Sequence, residues 1–136
     1  MDLVKSLQIS ASGMRAQGTR LRVIAENLAN AQSTAQVPGG EPYQRKVVSF
    51  RNTLDRAAGV EEVRADRIRH DQSEFERRFD PGHPAADEDG YLLLPNVNPM
   101  IELMDMREAQ RSYEANLNVL TASRSMLMRT IDMLRG

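Results

Sequence analysis

Two stretches of the chain repeat apolar residues at spacings of three and four, the period of a helix face. The longer runs from Asn98 to Leu134. Its file is Leu103, Met106, Gln110, Tyr113, Leu117, Leu120, Arg124, Leu127, Ile131 and Leu134, apolar except at Gln110 and Arg124. That alternation is a heptad seam. A second file, Ala115, Val119, Ala122, Met126 and Met133, lies beside it and broadens the face beyond what one neighbour covers. Asn98 suits the N-cap and Pro99 the first helical position, and no Pro or Gly follows until Gly136. A helix from Pro99 to Arg135 would be roughly 55 Å long. A globule of this chain length has a radius of gyration of about 14 Å. Such a helix either breaks or belongs to an elongated protein that hides its seam against other molecules.

Residues 2–31 predict a second helix. Val4, Leu7, Ala11, Met14, Gly18, Leu21, Ala25 and Leu28 share a face on which large and small residues alternate. Small residues let another helix backbone approach closely. Ile9, Val23 and Ile24 widen that face. Gly13 and Gly18 each cost up to about 1 kcal/mol relative to Ala, so the helix must draw its stability from packing. Glu26-Asn27-Leu28-Ala29-Asn30 ends it. Asn30 can stop a helix and tolerates a left-handed backbone. Asn27 is either a solvated polar position or a specific capping or interhelical partner; its type alone does not decide.

Between the helices the period changes. Residues 31–42 form a loop rich in breakers, Pro38-Gly39-Gly40-Glu41-Pro42 above all. Tyr43 to Phe50 reads as extended, Arg51 to Ala58 as a short helix or loop, and Glu62 to Ile68 as a strand. Glu74 to Asp80 suits an edge strand, Asp80-Pro81-Gly82-His83-Pro84 a turn, and Tyr91 to Leu94 a short apolar strand closed by Pro95. The fold class is therefore mainly α with a small β insert: long N- and C-terminal helices packing coiled-coil-like, with short strands between them. The divisions are 1–31, 32–98 and 99–136. A lone core in the middle segment is marginal at that size.

Charge and chemistry narrow the function. The chain has 18 basic and 19 acidic residues, a net charge of -1. By segment the balance is +2, -3 and 0, so nothing resembles the basic excess of a nucleic-acid or anionic-membrane binder. There is no Cys, which excludes disulfide and thiol chemistry, and the 8 Met residues suit adaptable packing. No secretory leader and no transmembrane stretch is expected, because Asp2, Lys5, Ser6, Gln8, Ser10 and Ser12 interrupt the first apolar run. His83 lies near Asp80, Asp87, Glu88 and Asp89, but the spacing matches no metal pattern and a solvated turn is the better reading. Nucleophile and phosphate-loop motifs are absent, and Arg107, Glu108, Arg111 and Glu114 read as a helix's solvated flank. No catalytic residue, metal or cofactor is expected.

Three stretches carry a resemblance. They are Ser10 to Met14 continuing through Glu26-Asn27-Leu28-Ala29-Asn30-Ala31; Pro38 to Val48; and Asp80 to Tyr91, with Pro95-Asn96-Val97-Asn98-Pro99 and Ser112-Tyr113-Glu114-Ala115-Asn116. The sequence resembles the bacterial flagellar axial proteins of the rod and hook, and most nearly those of the proximal rod, over essentially its whole length. The resemblance implies a structural subunit exported by the flagellar type III apparatus without a cleaved leader. It implies helical assembly into the rod that crosses the periplasm and transmits torque to the hook. The terminal helices would form the inner layer and the β insert would lie outside. Partners would be copies of the chain, other proximal-rod proteins, the adaptor at the base and the surrounding rings, with no nucleic acid and no direct membrane insertion. The expected assembly residues are Leu7, Met14, Leu21, Asn27, Leu28 and Asn30, with Leu103, Met106, Gln110, Tyr113, Leu117, Leu120, Arg124, Leu127, Ile131 and Leu134. The alternative is a soluble coiled-coil homodimer with a β cap, acting as an adaptor.

Overall fold

The computed structural model describes residues 2–136. Two long helices, α1 (Leu3–Ala29) and α2 (Pro99–Arg135), enclose four strands in sequence: β1 (Lys46–Asp55), β2 (Val60–His70), β3 (Glu76–Phe79) and β4 (Tyr91–Leu94). Three of the four helix boundaries have a side-chain cause. Asp2 Oδ1 accepts the Val4 N–H at 3.1 Å, capping α1. Asn98 Oδ1 accepts the Met100 N–H at 3.0 Å, so the predicted cap and the predicted Pro99 start both hold. Asn30 stops α1 differently from expectation. Among the described residues none other than glycine has positive φ, and the Asn30 amide instead donates back to the Glu26 carbonyl at 2.8 Å.

The residues gather into two compact units, and each takes part of both helices. One comprises Met1–Leu21, Val48–Arg67 and Arg107–Gly136; the other comprises Arg22–Val47 and Ile68–Met106. In the first unit the helix segments run antiparallel on small and polar residues. The Ser6 and Ser123 hydroxyls are 3.3 Å apart. Gly13 faces Asn116 so closely that a Cβ would stand 2.9 Å from its amide nitrogen. Arg20 meets Glu108 at 3.4 Å. Ser12, Ala16, Ala109 and Ser123 are buried here, whereas residues 128–136 of the α2 end are exposed on every face.

The β1–β2 strands pair through a four-residue turn. Asp55 Oδ1 accepts the Ala57 and Ala58 N–H groups, and Gly59, at φ +64°, donates to the Asp55 carbonyl at 2.8 Å. Arg51–Asp55 is thus strand, not the short helix or loop expected. The turn chemistry sits four residues later, at Asp55 and Gly59, and β pairing carries the intervening residues with it. In the first unit β2 is held on α1. The Val63 N–H donates to Ser12 Oγ at 3.3 Å, and the buried Glu62 pairs with Arg15 and Arg64.

In the second unit β3 and β4 pair antiparallel, from Glu76 opposite Leu94 to Phe79 opposite Tyr91. The Phe79 and Tyr91 rings meet edge to face at 5.1 Å, and Arg77 lies over Tyr91 at 4.5 Å. The acidic loop before β4 is spent on turns. Asp87 Oδ1 accepts from the Asp89 and Tyr91 N–H groups, and His83 Nδ1 accepts from Ala85. Among the described residues no group of three His, Cys, Asp or Glu side chains is placed to hold a metal. No described helix is long and apolar enough to cross a membrane.

The two helical glycines should respond oppositely to substitution. Nothing lies within 4 Å of a Cβ at Gly18, so Gly18→Ala should stabilise by up to about 1 kcal/mol. Gly13→Leu should cost about 1–3 kcal/mol through overpacking against Asn116. Thermal unfolding of the two variants against the parent reads the signs directly.

Candidate assembly interface and its polar anchor

Asn27 resolves in favour of a specific bond. It is 1% exposed and uses its whole amide. Its Nδ2 donates to the Lys46 carbonyl at 2.8 Å and to Glu102 Oε2 at 3.1 Å. Its Oδ1 accepts from the Tyr43 hydroxyl at 2.8 Å and the Lys46 N–H at 2.9 Å. One side chain near the end of α1 therefore fixes the start of β1 and the first turn of α2, all within the second unit. An amide suits this position because it alone supplies two donors and an acceptor in one plane.

Glu102 is equally buried, at 1% exposure. Its second oxygen accepts Arg45 Nε at 2.5 Å. Arg45 extends the chain of charges to Asp71 at 3.3 Å and Asp105 at 3.6 Å. Burial opposes the Arg45 charge, but the Glu102 and Asp71 carboxylates outweigh it and hold the guanidinium above its ordinary range. Asp71 sits below the usual carboxylate range because the Ser73 N–H donates to it, with Arg45 adding to the effect. Glu26 is lowered chiefly by its hydrogen bond with Lys46. Burial raises the Tyr43 phenol. Both carboxylate oxygens of buried Glu102 and the whole Asn27 amide are taken up within this cluster, while Asp71, Asp105 and Glu26 lie at its partly exposed edge.

The expected interface residues lie beside the intrachain contacts. In the first unit α1 touches α2 through Ser6, Gly13 and Arg20, and in the second through Asn27; each precedes by one residue the large series Leu7, Met14, Leu21 and Leu28. On α2, Glu102, Ala109, Asn116 and Ser123 likewise precede Leu103, Gln110, Leu117 and Arg124. Small and polar residues meet, and large apolar ones are displaced to the flanks. Leu7, Met14, Leu21, Leu28, Met106, Tyr113, Leu120 and Leu127 are half-buried there, as is Asn30. Leu103, Gln110, Leu117, Arg124, Ile131 and Leu134 are exposed. The second file is exposed throughout, with Met126 at 56% and Met133 at 76%. Glu102 and Arg45 escaped sequence reasoning: an acid in a first helical turn and an arginine in an extended run look like surface residues, and only the tertiary contact distinguishes them.

A family described as the C-terminal part of flagellar basal body rod FlgEFG proteins matches residues 88–133, which include β4 and most of α2. A flagellar basal-body rod protein FlgC of Agrobacterium fabrum is 48% identical over 129 residues, spanning 95% of this chain and 93% of that protein. FlgC proteins of Borreliella burgdorferi and Escherichia coli O6:H1 are each 36% identical, spanning 100% and 98% of both chains respectively. The chain belongs to the flagellar basal-body rod proteins. Its family among them is FlgC.

The anchor sets the pH limits of the second unit. A lowered carboxylate contributes stability that is complete above its unfolded value and lost as pH falls through the folded one. For Glu26 and Asp71 those reference values are 4.5 and 3.8. Stability should fall progressively from about pH 4.5 downward, and less steeply in Asp71→Asn, as followed by urea unfolding at a series of pH values. The raised Tyr43 phenol sets the opposite limit, its contribution being lost as pH rises above 10.0. Arg45→Met, which strands the buried Glu102 charge, should cost about 3–5 kcal/mol, and adding Glu102→Met should recover part of it.

Proposed function

We propose that this protein is a structural subunit of the proximal rod. In this reading it assembles helically through its terminal helices into the shaft that passes motor torque to the hook. The observation that carries this is the exposed apolar series of α2: Leu103 at 45%, Leu117 at 42%, Ile131 at 38% and Leu134 at 83%. Large side chains repeating along one helix and left in water are expected to be covered by other molecules. Family membership supplies the setting, a basal-body rod. Segments 1–31 and 99–136 then form a coiled-coil-like inner layer and 32–98 the outer part. Copies of this chain, other proximal-rod proteins, the basal adaptor and the rings are the neighbours. Delivery is through the type III export apparatus, and the working position is in the periplasm. No enzymatic step is assigned. Gln110 and Arg124, polar members of the apolar series, set register between subunits, as isolated polar residues do in helical seams.

Leu117→Asp tests the reading, because the residue is exposed and its replacement should leave the isolated chain folded. The expected outcome is unchanged circular dichroism with loss of rods and of swimming. Normal swimming would refute the proposal. Sedimentation of the parent protein tests the adaptor alternative, which requires a stable dimer and nothing larger.

A further inference from the structure

The two units carry opposite charge. The first holds twelve basic and eight acidic residues, a balance of +4; the second holds six and eleven, a balance of -5. Each also carries an apolar feature that nothing among the described residues covers. In the first unit an open groove of about 410 Å³ runs between Val4, Leu7, Gln8 and Ala11 of α1 and Leu120 and Arg124 of α2. Its lining is almost wholly hydrocarbon, and exposed Arg124 stands on it with no ion-pair partner among the described residues. In the second unit the first turns of α2 expose Met100 at 67%, Leu103 at 45% and Met104 at 68%, which share a helix face at spacings of three and four.

We propose that these two features meet between copies: the Met100–Met104 face of one copy lies in the groove between α1 and α2 of the next. This rests on the assembly role proposed above and specifies its contact. A ridge of Met and Leu side chains fits a two-helix groove, and the unbranched Met adapts to an imperfect one. The acidic unit approaches the basic unit, which favours this pairing over groove against groove or ridge against ridge. Ridge and groove are different surfaces, so the contact is heterologous. A copy that has filled its groove still presents its ridge, and growth continues in one direction instead of closing as a dimer.

The absence of native cysteine allows a direct test in assembled basal bodies. Gln8→Cys places a thiol on the groove and Met104→Cys one on the ridge. The double variant, expressed as the sole copy and oxidised with copper–phenanthroline, should give a ladder of cross-linked dimers, trimers and higher multimers of this chain. Neither single variant should cross-link alone, and the two expressed together should give dimers only. A ladder or dimer from either single variant, no ladder from the double variant, or a disulfide to a different protein would each overturn the inference. If the parent chain is missing from purified basal bodies, it is the rod assignment itself that fails.

Discussion

The second unit depends on a buried carboxylate that is never left alone. Glu102 has lost its water, and the desolvation of such a group is costly unless every lone pair finds a donor. Arg45 and Asn27 supply those donors, and each is oriented in turn by other polar groups. The arrangement is specific because few alternatives satisfy it. A slip of one residue along either helix would strand the charge. An apolar contact at the same place would tolerate sliding, since hydrocarbon surfaces have no preferred partner. Within the second unit the anchor thus fixes the end of α1 against the first turn of α2.

That contrast explains what was legible in the chain. The helices could be read almost to the residue, because their period and their caps are local properties: Asn98 and Pro99 act on neighbouring N–H groups. The β3 and β4 strands were also legible, since Pro, Gly and Asp punctuate them. Arg51–Asp55 was not, because its strand character comes from pairing with distant residues. The same limit applies to the anchor. Asn27 could be flagged as ambiguous, but the burial of Glu102 depends on Arg45, more than fifty positions away. Periodicity identified the apolar files without saying which neighbour they serve. Only the contacts show that the chain's own helix pair uses the residues one position earlier.

Within the first unit a close helix contact requires small side chains, and Gly13, Ala16, Ala109 and Ser123 provide them. Large side chains placed there would hold the helices apart. Placed one residue later, as Leu7, Met14, Leu117 and their equivalents are, they line the rims instead. The pair spends little of its apolar surface on itself and keeps the rest available. A rod protein needs that combination, because a subunit that satisfied all its hydrophobic surface internally would have nothing with which to bind a neighbour.

The bare end of α2 has a thermodynamic corollary. Residues 128–136 are exposed on every side, so no intrachain packing supports their helix. The segment continues a helix already formed over the preceding turns, so it needs no nucleus of its own, but only its backbone hydrogen bonds hold it and it frays more readily than the packed turns. Any molecule that covered it would shift that local opening equilibrium toward helix by mass action.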